Sequence, residues 1–317
     1  MPANVQSMVY NAENGAPWHG LGTAVNGMMT AAEAVVKAGL DWKVDKVELF
    51  DGDGNKVPNH FSIRRSDNKQ SLGVVGNQYT ALQNSDAFSF MDAVIQEKLA
   101  LYETAGALGA GERVWMLAKV DGVMEARSGD MILKYLLLSN THDGSGKVII
   151  CITTVRVVCQ NTLNLAIADA ASMFKFKHTK NMGNKVVDAR EALGIVNKYY
   201  KDFEESLKAL TARKMSVNGF RDYVKAVGFD VDANAGKAKG QVDELVRLFG
   251  EGRGNKGESV WDGLNAVTEY TDWFRNTRVT KTGSFQNAAE ARLDSQWFGS
   301  GLAIKEKALE VAVGLAA

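Results

Sequence analysis

MILKYLLLS (131–139), NTHDGSG (140–146) and KVIICITTVRVVC (147–159) follow one another without a break. An apolar run, a turn cluster holding Asp143-Gly144 and a second, β-branched run are the local signature of a β-hairpin. The second run predicts a strand with two unlike faces, because side chains alternate along a strand. Ile149, Cys151, Thr153, Val155, Val157 and Cys159 share one face, and Val148, Ile150, Ile152, Thr154, Arg156 and Val158 share the other. Arg156 is the only charge between Val148 and Cys159. It needs a partner, which an ordinary carboxylate or backbone carbonyl can supply, since buried charges are normally paired.

Asn161 to Met173 reads as a helix leading out of the hairpin. Phe174-Lys175-Phe176-Lys177-His178-Thr179-Lys180 comes next and interleaves cations with aromatic rings. Lysines supply charge to a phosphate backbone and rings offer stacking faces to bases, the composition that suits a single-stranded nucleic-acid groove. A solvated edge has the same composition and is the bland alternative.

The 317 residues suffice for one large domain or two ordinary ones, and 45% apolar content supports a packed core. Lys plus Arg and Asp plus Glu are 37 each, so the formal net charge is zero. A polyanion partner must therefore meet a local patch, not a basic protein as a whole. The two cysteines, Cys151 and Cys159, would lie roughly 26 Å apart along a strand, too far for a disulfide. They are expected to be small buried side chains in a reducing cytoplasm. No apolar run approaches the roughly 20 residues of a membrane span, and the N-terminus lacks the pattern of a secretory signal. A soluble protein of the host cytoplasm, with no membrane partner, is the expectation.

Upstream, the first thirty residues read as an irregular arm whose one dense feature is Pro17-Trp18-His19-Gly20-Leu21-Gly22. Thr30-Ala31-Ala32-Glu33 is a capping box opening a short helix that ends at Gly39. Strands are expected at 42–50, 61–65 and 72–79. Asp51-x-Asp53-x-Asn55 imitates half a calcium loop, but Lys56 stands in place of the glycine and Ser62 in place of the bidentate glutamate, so it reads as a hairpin turn. Asn84-Ser85-Asp86 starts a helix reaching about Gln96, followed by strands at 101–104 and 113–120. Gly106, Gly109 and Gly111 read as a mobile connection between those two strands. The order is that of an α+β fold on an antiparallel β-meander with packed helices.

From Val186 the period lengthens. Ala189, Leu193, Val196, Tyr200, Phe203, Leu207 and Leu210 describe a long amphipathic helix. Further helices are expected at 220–227, 241–249, 260–275 and 302–313. An α+β core over 1–185 and a helical region over 186–317 follow.

No catalytic constellation is legible. His19, His60, His142 and His178 are scattered without metal-ligand spacing. Gly252-x-Gly254-x-x-Gly257 matches the dinucleotide fingerprint in letters only, because a helix and not a strand precedes it. That segment reads as a flexible surface loop carrying Arg253 and Lys256. The expectation is a chain that is not an enzyme, with no cofactor and no metal.

Trp18-His19-Gly20-Leu21-Gly22, Val155 to Leu163 (VRVVCQNTL), Lys177-His178-Thr179 and Asn265-Ala266-Val267-Thr268-Glu269-Tyr270 together resemble the phage/plasmid-like family carrying domain of unknown function 932. The resemblance spans almost the full chain and implies a mobile-element protein without a settled activity. Lys177 departs from the arginine expected there and loses a fork-shaped donor. In element order alone the chain is also similar to phage single-strand annealing proteins of the RecT and Redβ kind, which oligomerise into rings or filaments on single-stranded DNA. Such a likeness is an analogy of fold order and carries no residue roles.

These readings converge on a non-enzymatic protein that binds and anneals single-stranded DNA as a homo-oligomer. Arg156, Lys175, Lys177, His178 and Lys180 are the expected phosphate contacts. Lys134, Lys147, Arg64 and Arg65 stand on neighbouring strands as weaker ones, and Phe174 and Phe176 are the stacking candidates. The alternative is a structural or host-interaction (anti-defence) protein whose oligomer buries Trp18, Trp261, Trp273 and Trp297.

Overall fold

The computed structural model describes residues 5–12, 23–95, 101–156, 162–164, 173–176, 200–233, 235–275, 295–296 and 299–317. Its frame is an eight-stranded sheet in the order β10-β9-β8-β7-β6-β1-β2, with β11 also pairing with β9. The meander at its heart is β6 Leu101–Leu108, β7 Arg113–Glu125, β8 Met131–Thr141 and β9 Val148–Arg156, each antiparallel to the next. The hairpin expected from 131–159 is thus β8 and β9, with the turn over 142–147.

Both faces of this meander are buried, which is why 131–139 reads as an unbroken apolar run and not as an alternation. Val114, Met116, Ala118, Ile132, Leu136, Leu138, Val148, Ile150 and Ile152 belong to one core cluster. Trp115, Leu117, Tyr135, Leu137 and Cys151 form a second with Met8 and Leu108. The alternation expected along β9 holds, with Val148, Ile150 and Ile152 against Cys151.

Four expectations need correction. The first thirty residues hold strands, because β1 Val5–Asn11 pairs antiparallel with β6 and parallel with β2 Thr23–Val25. Val9 and Met8 are buried in different clusters, so β1 shows no alternation to betray it. The helix expected from Asn161 to Met173 is strand at both ends, β10 Thr162–Asn164 and β11 Met173–Phe176, and 165–172 lie outside the described residues. Ladder bonds along β9 override local propensity there, since they satisfy backbone groups that an open edge leaves unpaired. Gly106 is not in a connection but inside β6, opposite Trp115. Gly109 and Gly111 alone make the turn, at φ of 68° and 112°. Finally, the strands expected first form a sheet of their own, β3 Val44–Phe50, β4 Lys56–Arg65 and β5 Ser71–Gly76, in that order.

The calcium-like stretch is the β3–β4 turn, where the Asp51 carboxylate accepts from the Asp53 and Asn55 backbone N–H groups at 3.0 and 2.8 Å. Helix α1 Ala31–Lys37 carries the expected Thr30/Glu33 capping box. Together with α2 Asn84–Ile95 it packs into the first core through Ala34, Ala38, Phe88 and Met91. That same cluster continues into the helical region through α3 (200–212), whose Tyr200, Phe203, Leu207 and Leu210 lie in it. One core therefore runs across the expected 185/186 boundary.

The remaining helices are α4 Val217–Val227, α5 Gly236–Glu251, α6 Val260–Glu269 and α7 Ser300–Ala316. Every residue of α6 is buried, and it packs against α4, α5 and α7. The helix expected to run to Arg275 widens at Tyr270–Phe274 into a π-turn, closed by the Arg275 N–H on the Tyr270 carbonyl at 2.8 Å. Among the described residues no helix is long and apolar enough to cross a membrane.

Candidate functional site

The β8–β9 hairpin is fixed at its turn by a buried polar cluster. The Asn140 amide donates to the Leu82 carbonyl at 3.0 Å, and the His142 N–H donates to the Glu112 carbonyl at 2.7 Å. His142 Nε2 lies 3.0 Å from the Asn84 side-chain oxygen, and its ring meets Trp42 edge-on at 5.4 Å. His142 is fully buried, so its role is to hold the turn. At the turn's tip the chain touches the small sheet: a Cβ on Gly73 of β5 would stand 2.3 Å from the Asp143 carbonyl oxygen. Only glycine lets the two backbones approach so closely.

Register decides which candidate cations come together. Arg156 stands opposite Ile132, and Lys134 opposite Thr154. Positions 134 and 156 are therefore diagonal neighbours on one sheet face, a separation long side chains span. The Lys134 ammonium lies 5.3 Å from the centre of the Tyr200 ring. Tyr200 itself is buried, its hydroxyl shared between the Tyr135 and Thr153 carbonyls at 2.7 and 3.0 Å. At the other end of β9, Phe174, Lys175 and Phe176 of β11 pair with Ile150, Ile149 and Val148. Positions 174 and 176 thus fall on the face of Val148 and Ile150, and position 175 on the other. Lys147, just outside the strand, is exposed. Lys177, His178 and Lys180 lie outside the described residues.

Arg64 and Arg65 have different fates. Arg64 is half-buried on β4. Arg65 is only 4% exposed and bonds bidentately to Asp67 at 2.9 and 2.6 Å, donates to the Ala110 carbonyl at 2.9 Å and lies 4.2 Å over the Trp42 ring. That geometry joins the small sheet to the β6–β7 turn and holds the guanidinium away from any phosphate. Cys151 is equally inward: burial pushes its thiol up to about 12, Glu306 adding to this and Lys305 opposing it. It stays a thiol at neutral pH, as expected for a small buried side chain.

A family model described as Domain of unknown function (DUF932) matches residues 71–297. The chain belongs to this family. No curated protein and no solved structure matches it. The DUF932 match begins at β5 and includes the meander, the β9 edge and the helical region past the π-turn, ending just before α7. Within it, Asn265 to Tyr270 occupies the buried helix α6 and the first residue of the π-turn, so this motif makes interior structure.

Three buried carboxylates of this DUF932 helix and turn each hold a different segment. Asp262 binds Arg127 of the β7–β8 connection at 2.7 and 3.4 Å, and also accepts from the Lys256, Glu258 and Ser259 backbone N–H groups at 3.1, 3.2 and 3.2 Å. Burial alone would raise its carboxyl; the Arg127 and Ser259 hydrogen bonds and the Arg127 charge outweigh this and hold it below the ordinary value. Glu269 accepts from the Arg253 N–H at 3.1 Å. Asp272 in the π-turn pairs with the fully buried Lys305 of α7 at 2.9 Å. Beside them Trp261 donates its indole N–H to Asp130 at 2.9 Å. Trp261 is thus an internal anchor, not the intermolecular one expected of it, and Trp18 and Trp297 lie outside the described residues.

The glycine loop also departs from expectation. Arg127 grips the Gly254 carbonyl, and the Asn255 amide donates to the Leu248 and Asp262 carbonyls at 2.9 and 3.2 Å, so the loop is tied down. The Ser259/Asp262 capping box that opens α6 carries a local signal, a serine three residues before a carboxylate, that the sequence reading missed. Nothing local marks Arg127 as the partner of Asp262, 135 residues away, or Lys305 as the partner of Asp272, 33 residues away.

Proposed function

We propose that this chain is a non-enzymatic protein of a phage or plasmid that binds and anneals single-stranded DNA in the host cytoplasm, working as a homo-oligomer. The observation that carries the reading is the pairing of β11 with β9, which puts 173–176, the start of the basic and aromatic strip, outside residues 148–151 of the strand that carries Arg156. A single strand crossing that edge passes from the face of position 175, beside Lys147, to the opposite face, where positions 134 and 156 stand at the far end of β9. Eight residues of β9 separate the two ends, about 26 Å. Lys177, His178 and Lys180 continue the strip in sequence, Phe174 and Phe176 are its stacking candidates, and Arg64 is a peripheral cation. Arg65 is left out, because its guanidinium is occupied.

Annealing requires that the backbone be held and the base edges left accessible, so the contacts are to phosphates and carry no sequence preference. The mobile-element part of the reading rests on the motif resemblance, and the annealing part on element order as well.

A filter-binding titration of oligothymidylate at two salt concentrations tests it. The logarithm of affinity is expected to fall with the logarithm of salt, by about 0.7 per phosphate neutralised. A flat response removes the reading. Lys177→Glu with Lys180→Glu is expected to weaken binding while the circular dichroism spectrum stays unchanged; full binding by that variant would mean the strip is not the contact.

A further inference from the structure

We infer that the π-turn and the glycine loop form a second contact for the same single strand: a platform in which the rings of Trp273 and Phe274 stack on bases and Arg253 and Lys256 face phosphates. This contact rests on the single-strand reading above.

Three observations carry it. Phe274 is 44% exposed and Trp273 is half-buried, so two neighbouring rings reach the surface at one turn. Guanidinium groups lie against both, Arg253 at 5.2 Å from the Trp273 centroid and Arg247 at 5.7 Å from Phe274. Arg247 is also bridged to Glu244 and Glu251, so it steadies a ring more than it adds charge. Arg253 and Lys256 are exposed on a loop whose backbone is fixed by Arg127, Asp262, Glu269 and Asn255. A fixed loop loses little further freedom when it binds.

The π-turn is the second reason. An extra residue in a helical turn costs stability and recurs at functional sites. Here it keeps Asp272 inward on Lys305 while the next two residues, both aromatic, reach the surface. Alternating rings and guanidinium groups suit single strands, because every base has a face to stack and cations reinforce the stack.

Position is the third. Arg127 and Asp130 lie just before β8 and hold the Gly254 carbonyl and Trp261. That is the end of β8 where Ile132 pairs with Arg156. A strand leaving the hairpin edge at position 156 therefore meets the loop that carries Arg253, and beyond it Trp273.

The test compares oligothymidylates of about 6 and about 24 nucleotides, the longer exceeding a typical single site. With the full chain, Trp273→Ala and Phe274→Ala are each expected to weaken the longer one on the order of 10-fold and leave the shorter unchanged. Arg253→Glu, an exposed change that removes the cation over the Trp273 ring, is expected to act in the same direction. Charge reversal in the Lys175–Lys180 strip weakens both lengths. If wild type binds the long oligonucleotide and Trp273→Ala and Arg253→Glu bind it equally well, the platform is refuted and the single-strand reading stands. If wild type binds neither length, both fall. A change in sedimentation of these variants without a change in affinity would assign the surface to a second copy of the chain and overturn the proposal.

Discussion

Asp262 shows how much one side chain can organise. Its carboxylate is shared among Arg127, Ser259 and the backbone of the glycine loop, and its lowered pKa turns that arrangement into a dependence on pH. A carboxyl whose folded value lies below its unfolded one adds stability that is present above the unfolded value, 3.8, and is lost as pH falls from there through the folded value. Acid unfolding should therefore begin just below pH 4 and be less steep in Asp262→Asn. Arg127→Ala leaves the buried carboxylate without its cation and is expected to cost about 3 kcal/mol, read as a lower midpoint in urea. Lys305→Met should cost about as much for the same reason, while Lys305→Met with Asp272→Leu should recover most of the loss. Recovery failing in the double variant would mean that the pair is not what the single change disrupts. At this scale the sequence was partly legible. Ser259 and Asp262 announce a cap by spacing, but Lys305 looks like any surface lysine on an amphipathic helix until α7 closes against the π-turn.

Elements were easier to foresee than their neighbours. Strands β3, β4, β7, β8 and β9, the cap of α1 and helices α4, α5 and α7 follow from periods of two and 3.6 and from turn residues, all of which are local. Strands β1, β10 and β11 were not foreseen as such, because short strands acquire their identity from the ladder they join. The same holds for the small sheet's seat on the hairpin turn, which depends on Gly73 having no Cβ. Gly73→Ala should destabilise by about 1–3 kcal/mol, since the carbonyl of Asp143 is backbone and has to shift. Gly76→Ala, on the same strand with open space around it, should be nearly neutral in thermal melts. Equal effects of the two would place the small sheet's attachment elsewhere. The π-turn belongs to this scale too: its residues read as plain helix, and the Asp272–Lys305 pairing that accompanies the extra residue joins positions 33 apart.

Across the whole molecule, the core that joins meander, α1, α2 and α3 predicts one cooperative unfolding transition. A fragment ending at residue 185 lacks Tyr200, Phe203, Leu207 and Leu210, and exposes the sheet face holding Ile132 and Ile152. It is expected to be collapsed without fixed packing, with poorly dispersed amide resonances; a well-dispersed spectrum would support the two-unit reading of the sequence. The candidate interface divides in the same way. That 174–180 carries alternating rings and cations is written in the chain, whereas the place of 173–176 as the strand outside 148–151 comes from pairing between residues more than twenty positions apart.

The sequence by itself determined the elements and their class, an antiparallel meander followed by helices, because turn chemistry and hydrophobic period act within a few residues. It also determined the family, through motifs that can be read without a fold. Only the tertiary structure decided that Arg65 is locked over Trp42, that Trp261 faces inward, that the glycine loop is clamped by Arg127 and that Trp273 and Phe274 reach the surface. Each of those outcomes depends on a partner distant in the chain or on an extra residue in a turn, and neither leaves a local trace.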